Sequence, residues 1–66
     1  MNNSIVIYAD WVYINTENGT ITWFESHKGA IDYMWQQKRG GVYNVKTFPR
    51  DALVELINNA KIKMGL

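Results

Sequence analysis

The chain has 66 residues, and its seven basic and six acidic side chains leave a formal net charge of +1. It contains no cysteine and one histidine, which excludes disulfides, thiolate metal sites and an ordinary histidine zinc site. The charge balance also lacks the basic excess that is typical of dedicated nucleic-acid-binding proteins. Because 47% of the residues are hydrophobic and 14% are aromatic, we expect one domain over residues 1–66 with a core of large side chains and no cofactor.

The first fifteen residues, MNNSIVIYADWVYIN, contain an apolar run. No basic segment precedes the run and no small-residue cleavage site follows it, so the pattern does not fit a signal peptide. No other run approaches the roughly 20 apolar residues that cross a bilayer. We therefore expect a cytoplasmic protein that does not bind membranes. The shortness of the chain and its content of Asn, Lys and Ile also suit a phage or mobile-element protein.

Two runs of strand-forming residues flank the sequence TENGT and predict a β-hairpin. The first run covers residues 4–16 and forms either one strand or two, with a bend at Ala9 and Asp10. Asn18 and Gly19 favour a two-residue turn, which would pair Val12 with Glu25. One face of this hairpin then carries Val12, Ile14, Ile21 and Trp23. The opposite face carries Trp11, Tyr13 and Phe24.

The remaining chain predicts a helix, a strand and a second helix. Ser26 is a typical N-cap for a helix over residues 27–39, which ends before Gly40. Its apolar stripe is Ala30, Ile31, Met34 and Trp35. The sequence VYNVKTF follows as a strand, and Pro49 begins a helix that runs to about residue 63. We expect a small α+β domain of order β-β-α-β-α, a three-stranded antiparallel sheet with both helices packed on one face.

The polar residues predict no catalytic site. The serines, the acids and His27 show no spacing typical of a nucleophile or an acid–base pair, so we do not expect an enzyme. The sequence ESHKG could form an anion site from Ser26, His27, Lys28 and Gly29 at a helix start. The alternative is that the helix begins nearer Gly29 or Ala30 and that His27 and Lys28 lie in a solvated loop. A single glycine without a phosphate-loop pattern favours this alternative.

The aromatic residues of the uncovered sheet face predict a binding surface. Trp and Tyr are frequent in protein interfaces, so we expect Trp11, Tyr13 and Phe24 to anchor a larger protein. Lys38, Arg39 and Lys46 would form a charged rim. The predicted function is a small non-catalytic regulator or inhibitor that docks this face or an edge strand on its partner. Three alternatives remain open: the aromatics belong to the core, they face a second copy in a homodimer, or they bind nucleic acid together with the basic residues.

Overall fold

The computed structural model describes residues 5–65 of the chain. Three strands and two helices follow one another as β1 Trp11–Asn15, β2 Thr20–Phe24, α1 His27–Gln37, β3 Gly41–Asn44 and α2 Arg50–Lys63. The strands form one antiparallel sheet in the order β2-β1-β3, so β1 is central and the other two are edges. The predicted α+β class and the order β-β-α-β-α are confirmed. No helix within residues 5–65 is long and apolar enough to cross a bilayer.

The predicted first strand is shorter than expected, because β1 begins only at Trp11. A bend at Ala9 and Asp10 separates it from residues 5–8, which lie outside the sheet. The ring of Tyr8 in this segment meets Trp23 of β2 edge-to-face, with centroids 5.7 Å apart. The predicted break is therefore confirmed, but the residues before it form no second strand; residue 4 lies outside the described residues.

The hairpin loop contains residues 16–19 in place of the predicted two-residue turn, since Asn15 pairs with Thr20. The side-chain Oδ1 of Asn15 accepts hydrogen bonds from the amides of Glu17 and Asn18 at 2.9 and 3.3 Å. The amide of Gly19 donates to the Asn15 carbonyl at 2.8 Å, and its φ of +85° explains the glycine. A buried asparagine side chain therefore organises the loop, and the Asn-Gly signal alone did not reveal it.

The longer loop moves the register of the hairpin by two residues. Val12 pairs with Trp23 rather than with Glu25, and Ile14 pairs with Ile21. Side chains alternate between the faces of a sheet, so a shift by an even number of residues leaves each side chain on its predicted face. The two predicted sets of residues consequently share faces as expected.

The two helices lie on opposite faces of the sheet. Val12 and Ile14 of β1 form one buried cluster with α2, whose contributing residues are Leu53, Ile57 and Ala60. Tyr13 points to the other face, where its ring meets Tyr33 of α1 at 5.0 Å. The expectation that both helices pack on one face is therefore wrong. The sheet is the middle of three layers, and α1 covers the face that we expected to be open.

The end of α1 and the start of α2 differ from the prediction by two residues and one residue. α1 ends at Gln37, and Lys38 follows it in the left-handed conformation with φ +61°. Lys38 and Arg39 are therefore not in the last helical turn as expected, and Gly40 is not the residue that ends the helix. α2 begins at Arg50 with Pro49 as its N-cap. β3 ends at Asn44, well before Pro49. The side-chain Oδ1 of Asn44 accepts a hydrogen bond from the Lys46 amide, and this bond turns the chain.

Candidate functional site

Tyr13 lies in the core and has no exposed surface. Its hydroxyl donates a hydrogen bond to the Arg39 carbonyl at 2.8 Å and accepts one from Asn15 Nδ2 at 3.3 Å. Gly40 passes so close that a Cβ there would lie 2.7 Å from the Tyr13 ring. This side chain cannot anchor a partner in the folded protein, and its predicted role as an exposed contact is corrected.

Trp11 and Phe24 are half-buried at the end of the sheet beneath the start of α1. The Trp11 ring lies 4.5 Å from the His27 ring, and the Phe24 ring lies 5.4 Å from that of Tyr33. These contacts use much of the aromatic surface that we expected to face a partner. The open aromatic face is absent from the described residues because α1 covers it.

The residues of the predicted anion site make contacts within the protein. Ser26 Oγ accepts a hydrogen bond from the Gly29 amide at 3.1 Å, as an N-cap does. Lys28 Nζ lies 2.7 Å from Asp32 Oδ2, and this hydrogen bond and charge raise the pKa of the Lys28 ammonium. α1 thus begins at His27 with Ser26 as its N-cap, as predicted, and the alternative of a helix that begins nearer Gly29 or Ala30 is wrong.

The three predicted rim residues divide into two groups. Lys46 lies after β3, where its Nζ is 3.5 Å from Asp10 Oδ2. Lys38 and Arg39 lie together at the end of α1 and are both exposed. This pair borders a hollow that is also lined by a large apolar side chain, Trp35. The hollow is the candidate site and is called the Trp35 surface; its residues are Met34, Trp35, Lys38, Arg39 and Gly40.

Trp35 projects outward from α1, and 69% of its surface is exposed. Successive helical residues are rotated by about 100°, so Trp35 lies about 200° around the helix from Tyr33. Tyr33 packs inward against Tyr13, which leaves Trp35 on the solvent side. The sequence predicts Trp35 in the buried stripe of this helix, and the structure corrects that position. Tyr33 follows the buried Ala30 by three residues, and this helical spacing is the sequence signal that places Tyr33 on the inward side.

The backbone after α1 fixes the position of the two cations. The Lys38 amide donates to the Met34 carbonyl at 2.8 Å, and Gly40 continues with φ +89°. The Arg39 carbonyl is held by the Tyr13 hydroxyl. The core thus anchors the chain directly behind Lys38 and Arg39, and both side chains project from a fixed backbone.

The charges of the Trp35 surface are only partly balanced. Arg39 Nη1 lies 3.6 Å from Glu17 Oε1, and both side chains are mostly exposed, so solvent weakens this pair. Among residues 5–65, Lys38 has no carboxylate within 4.0 Å. No group of three or more His, Cys, Asp or Glu side chains that could hold a metal occurs in the described part of the chain. The surface can therefore bind an apolar group and an anion side by side.

Comparisons with protein-family models, with curated proteins and with solved structures found no match for this chain.

Proposed function

We propose that this protein is a small non-catalytic regulator or inhibitor that binds a larger protein through the Trp35 surface. The observation that carries the proposal is an indole that is 69% exposed and stands beside two cations on an anchored backbone. The partner segment would place an apolar side chain against Trp35 and a carboxylate against Lys38 or Arg39. Binding at this position would act by blocking a surface of the partner.

The chemistry of the surface supports a protein ligand. Tryptophan and arginine are enriched among the residues whose truncation weakens protein interfaces most. An indole buries a large apolar area when it is covered, and it orders few side-chain torsions in doing so. Lys38 contributes a cation from a left-handed backbone position, which costs a non-glycine residue about 1 kcal/mol. Strained residues of this kind are concentrated at functional sites.

Nucleic acid is a weaker candidate for the same surface. Its binding depends on several lysines and arginines that each neutralise a phosphate. Lys28, Arg39 and Lys46 each lie within 4.0 Å of a carboxylate. The sheet aromatics that would stack on bases are covered or half-buried. These observations favour the protein ligand, and the experiment distinguishes the two.

The first test compares two exposed apolar side chains in an affinity capture from cell lysate read by mass spectrometry. Trp35→Ala should abolish capture of a stoichiometric protein partner. Ile62→Ala is the control, because Ile62 is 70% exposed but lies on α2, away from the Trp35 surface. Circular dichroism should show both variants folded. Equal capture by the wild-type protein and by Trp35→Ala would contradict the proposal.

The second arm of this test changes the charges and removes nucleic acid. Lys38→Glu and Arg39→Glu should each weaken capture, whereas Lys63→Glu, at an exposed cation of α2, should not. Capture should survive nuclease and should fall only modestly with salt, since part of the contact is apolar. Capture that disappears with nuclease and falls steeply with salt would establish nucleic acid as the ligand instead.

A further inference from the structure

The outer edge of β2 has the properties of a strand-pairing surface. β2 lies at one end of the sheet, so no described strand pairs with its outer side. An unpaired edge presents free amide and carbonyl groups in the spacing that another strand satisfies. The sequence of β2, TITWF, contains no charged residue, no proline and no glycine. Charge and proline, two of the devices that usually prevent edge pairing, are therefore missing from this strand.

The opposite edge of the sheet, formed by β3, is less suited to strand pairing. β3 has only four residues, begins at Gly41 directly after Gly40 and ends where Asn44 turns the chain. Little extended backbone remains on that side. An additional strand would thus pair with the β2 edge and not with the β3 edge.

Apolar side chains border the β2 edge on the α2 side of the sheet. One hollow there is lined by Val6, Tyr8, Ile21, Trp23, Ile57 and Lys61. A second hollow shares Ile21 and Lys61 with it and continues to Met64. Val6, Tyr8 and Met64 each expose more than half of their surface. Lys61 is the one charged residue that lines these hollows.

We propose that the β2 edge binds a second copy of this chain, antiparallel across a two-fold axis at Thr22. The two sheets would then join into one sheet of six strands. Thr22 would face Thr22 of the second copy, and each Ile21 would face Trp23 of the other chain on the α2 side. The contact is self-complementary, because an uncharged edge meets an identical uncharged edge without repulsion. A chain of 66 residues also gains from the added burial, since small domains are marginally stable.

Sedimentation velocity over a wide range of wild-type concentrations tests the proposal directly. The expected result is a reversible shift from the 7.7 kDa monomer to twice that mass. Amide hydrogen exchange should slow within Thr20–Phe24 as the concentration rises, while β3 should stay unchanged. A monomer at every concentration, or a dimer whose β2 exchange does not depend on concentration, would overturn the inference.

Charge variants at the proposed axis provide the second test. Thr22→Lys and Thr22→Glu each place like charges opposite one another, so each should raise the dimer dissociation constant by about tenfold or more. An equimolar mixture of the two variants should restore the dimer, which also shows that both are folded. Thr47→Lys is the matched control, because Thr47 is exposed and lies outside the sheet. Dimers that persist in both Thr22 variants would place the contact elsewhere.

This inference is independent of the proposed function. The Trp35→Ala variant should form the same dimer as the wild-type protein, since Trp35 lies on α1 and outside the β2 edge. A dimer that fails to form in Trp35→Ala, with native circular dichroism, would contradict the β2 contact and move the self-association to the Trp35 surface.

Discussion

At the residue scale, Tyr13 shows how one polar atom in the core connects the fold to the candidate site. Its ring is fully buried against Tyr33, and its hydroxyl holds the Arg39 carbonyl at 2.8 Å. Buried polar groups of this kind need partners, because an unpaired donor or acceptor loses its hydration without compensation. The hydroxyl therefore contributes to stability and also fixes the backbone from which Arg39 projects.

Removal of the Tyr13 hydroxyl should lower the free energy of unfolding even when the ring is kept. Tyr13→Phe leaves the Arg39 carbonyl and the Asn15 amide without their shared partner, and we expect a loss of about 1–2 kcal/mol in the free energy of unfolding. Urea denaturation followed by circular dichroism measures it. Tyr8→Phe is the control, because removal of that exposed hydroxyl should change the free energy of unfolding by less than about 0.5 kcal/mol. Equal stability of the two variants would show that the buried hydrogen bonds contribute nothing net.

The sequence identified Tyr13 as important but assigned it to the wrong environment. Alternation along β1 correctly placed it on the face opposite Val12 and Ile14. Nothing in that alternation says which face a later helix covers, because the choice depends on how the connection after β2 turns. The partner role of Tyr13 therefore followed from the assumption that both helices share a face. Lys38 and Arg39, which were selected for their charge, do remain at the surface beside Trp35.

At the element scale, α1 ends in a way that its sequence does not favour. Lys38 adopts the left-handed conformation that glycine takes most easily, although two glycines follow at once. The pattern of residues predicted a helix end within a few residues of the correct position. It did not predict that Lys38 would take a positive φ before Gly40, which also has a positive φ of +89°. A Cβ at Gly40 would meet the Tyr13 ring, so packing against the core requires glycine at that position.

A glycine in place of Lys38 at the end of α1 should raise the stability of the fold and weaken binding of the partner. Lys38→Gly removes the cost of a side chain in the left-handed region, so the free energy of unfolding should rise by about 1 kcal/mol. The same variant should bind the partner less well, because the cation beside Trp35 is lost. Lys38→Ala separates the effects, since it removes the charge without relieving the backbone. A Lys38→Gly variant that is less stable than Lys38→Ala would refute the argument from backbone strain.

At the scale of the whole molecule, the three-layer arrangement explains how so short a chain buries its aromatics. The sequence predicts that the aromatics of an uncovered sheet face bind a partner. The structure instead buries Tyr13 and half-buries Trp11 and Phe24 beneath α1. The class and the order of elements followed from local patterns, whereas the assignment of helices to faces is a long-range property that those patterns do not contain. Among residues 5–65, Tyr8 and Trp35 are the large aromatics that remain exposed.

The free energy of folding should therefore come from the apolar layers and not from the surface charges. Leu53 of α2 is completely buried in the cluster under Val12 and Ile14, and Leu53→Ala should cost about 2–5 kcal/mol. A domain of this size has only about 3–5 kcal/mol to lose, so the variant should be largely unfolded at room temperature by circular dichroism. Ile62→Ala is the control on the same helix, because Ile62 is 70% exposed and should change stability by less than about 0.5 kcal/mol.

The salt dependence of unfolding measures how much the ion pairs contribute to stability. The three ion pairs among residues 5–65 all lie between side chains that are about half exposed or more, so their attraction is weak and screened. Sodium chloride should therefore leave the urea midpoint of the wild-type protein nearly unchanged. A midpoint that falls strongly with salt would show that charge pairs stabilise the fold, and the argument from two apolar layers would then be insufficient.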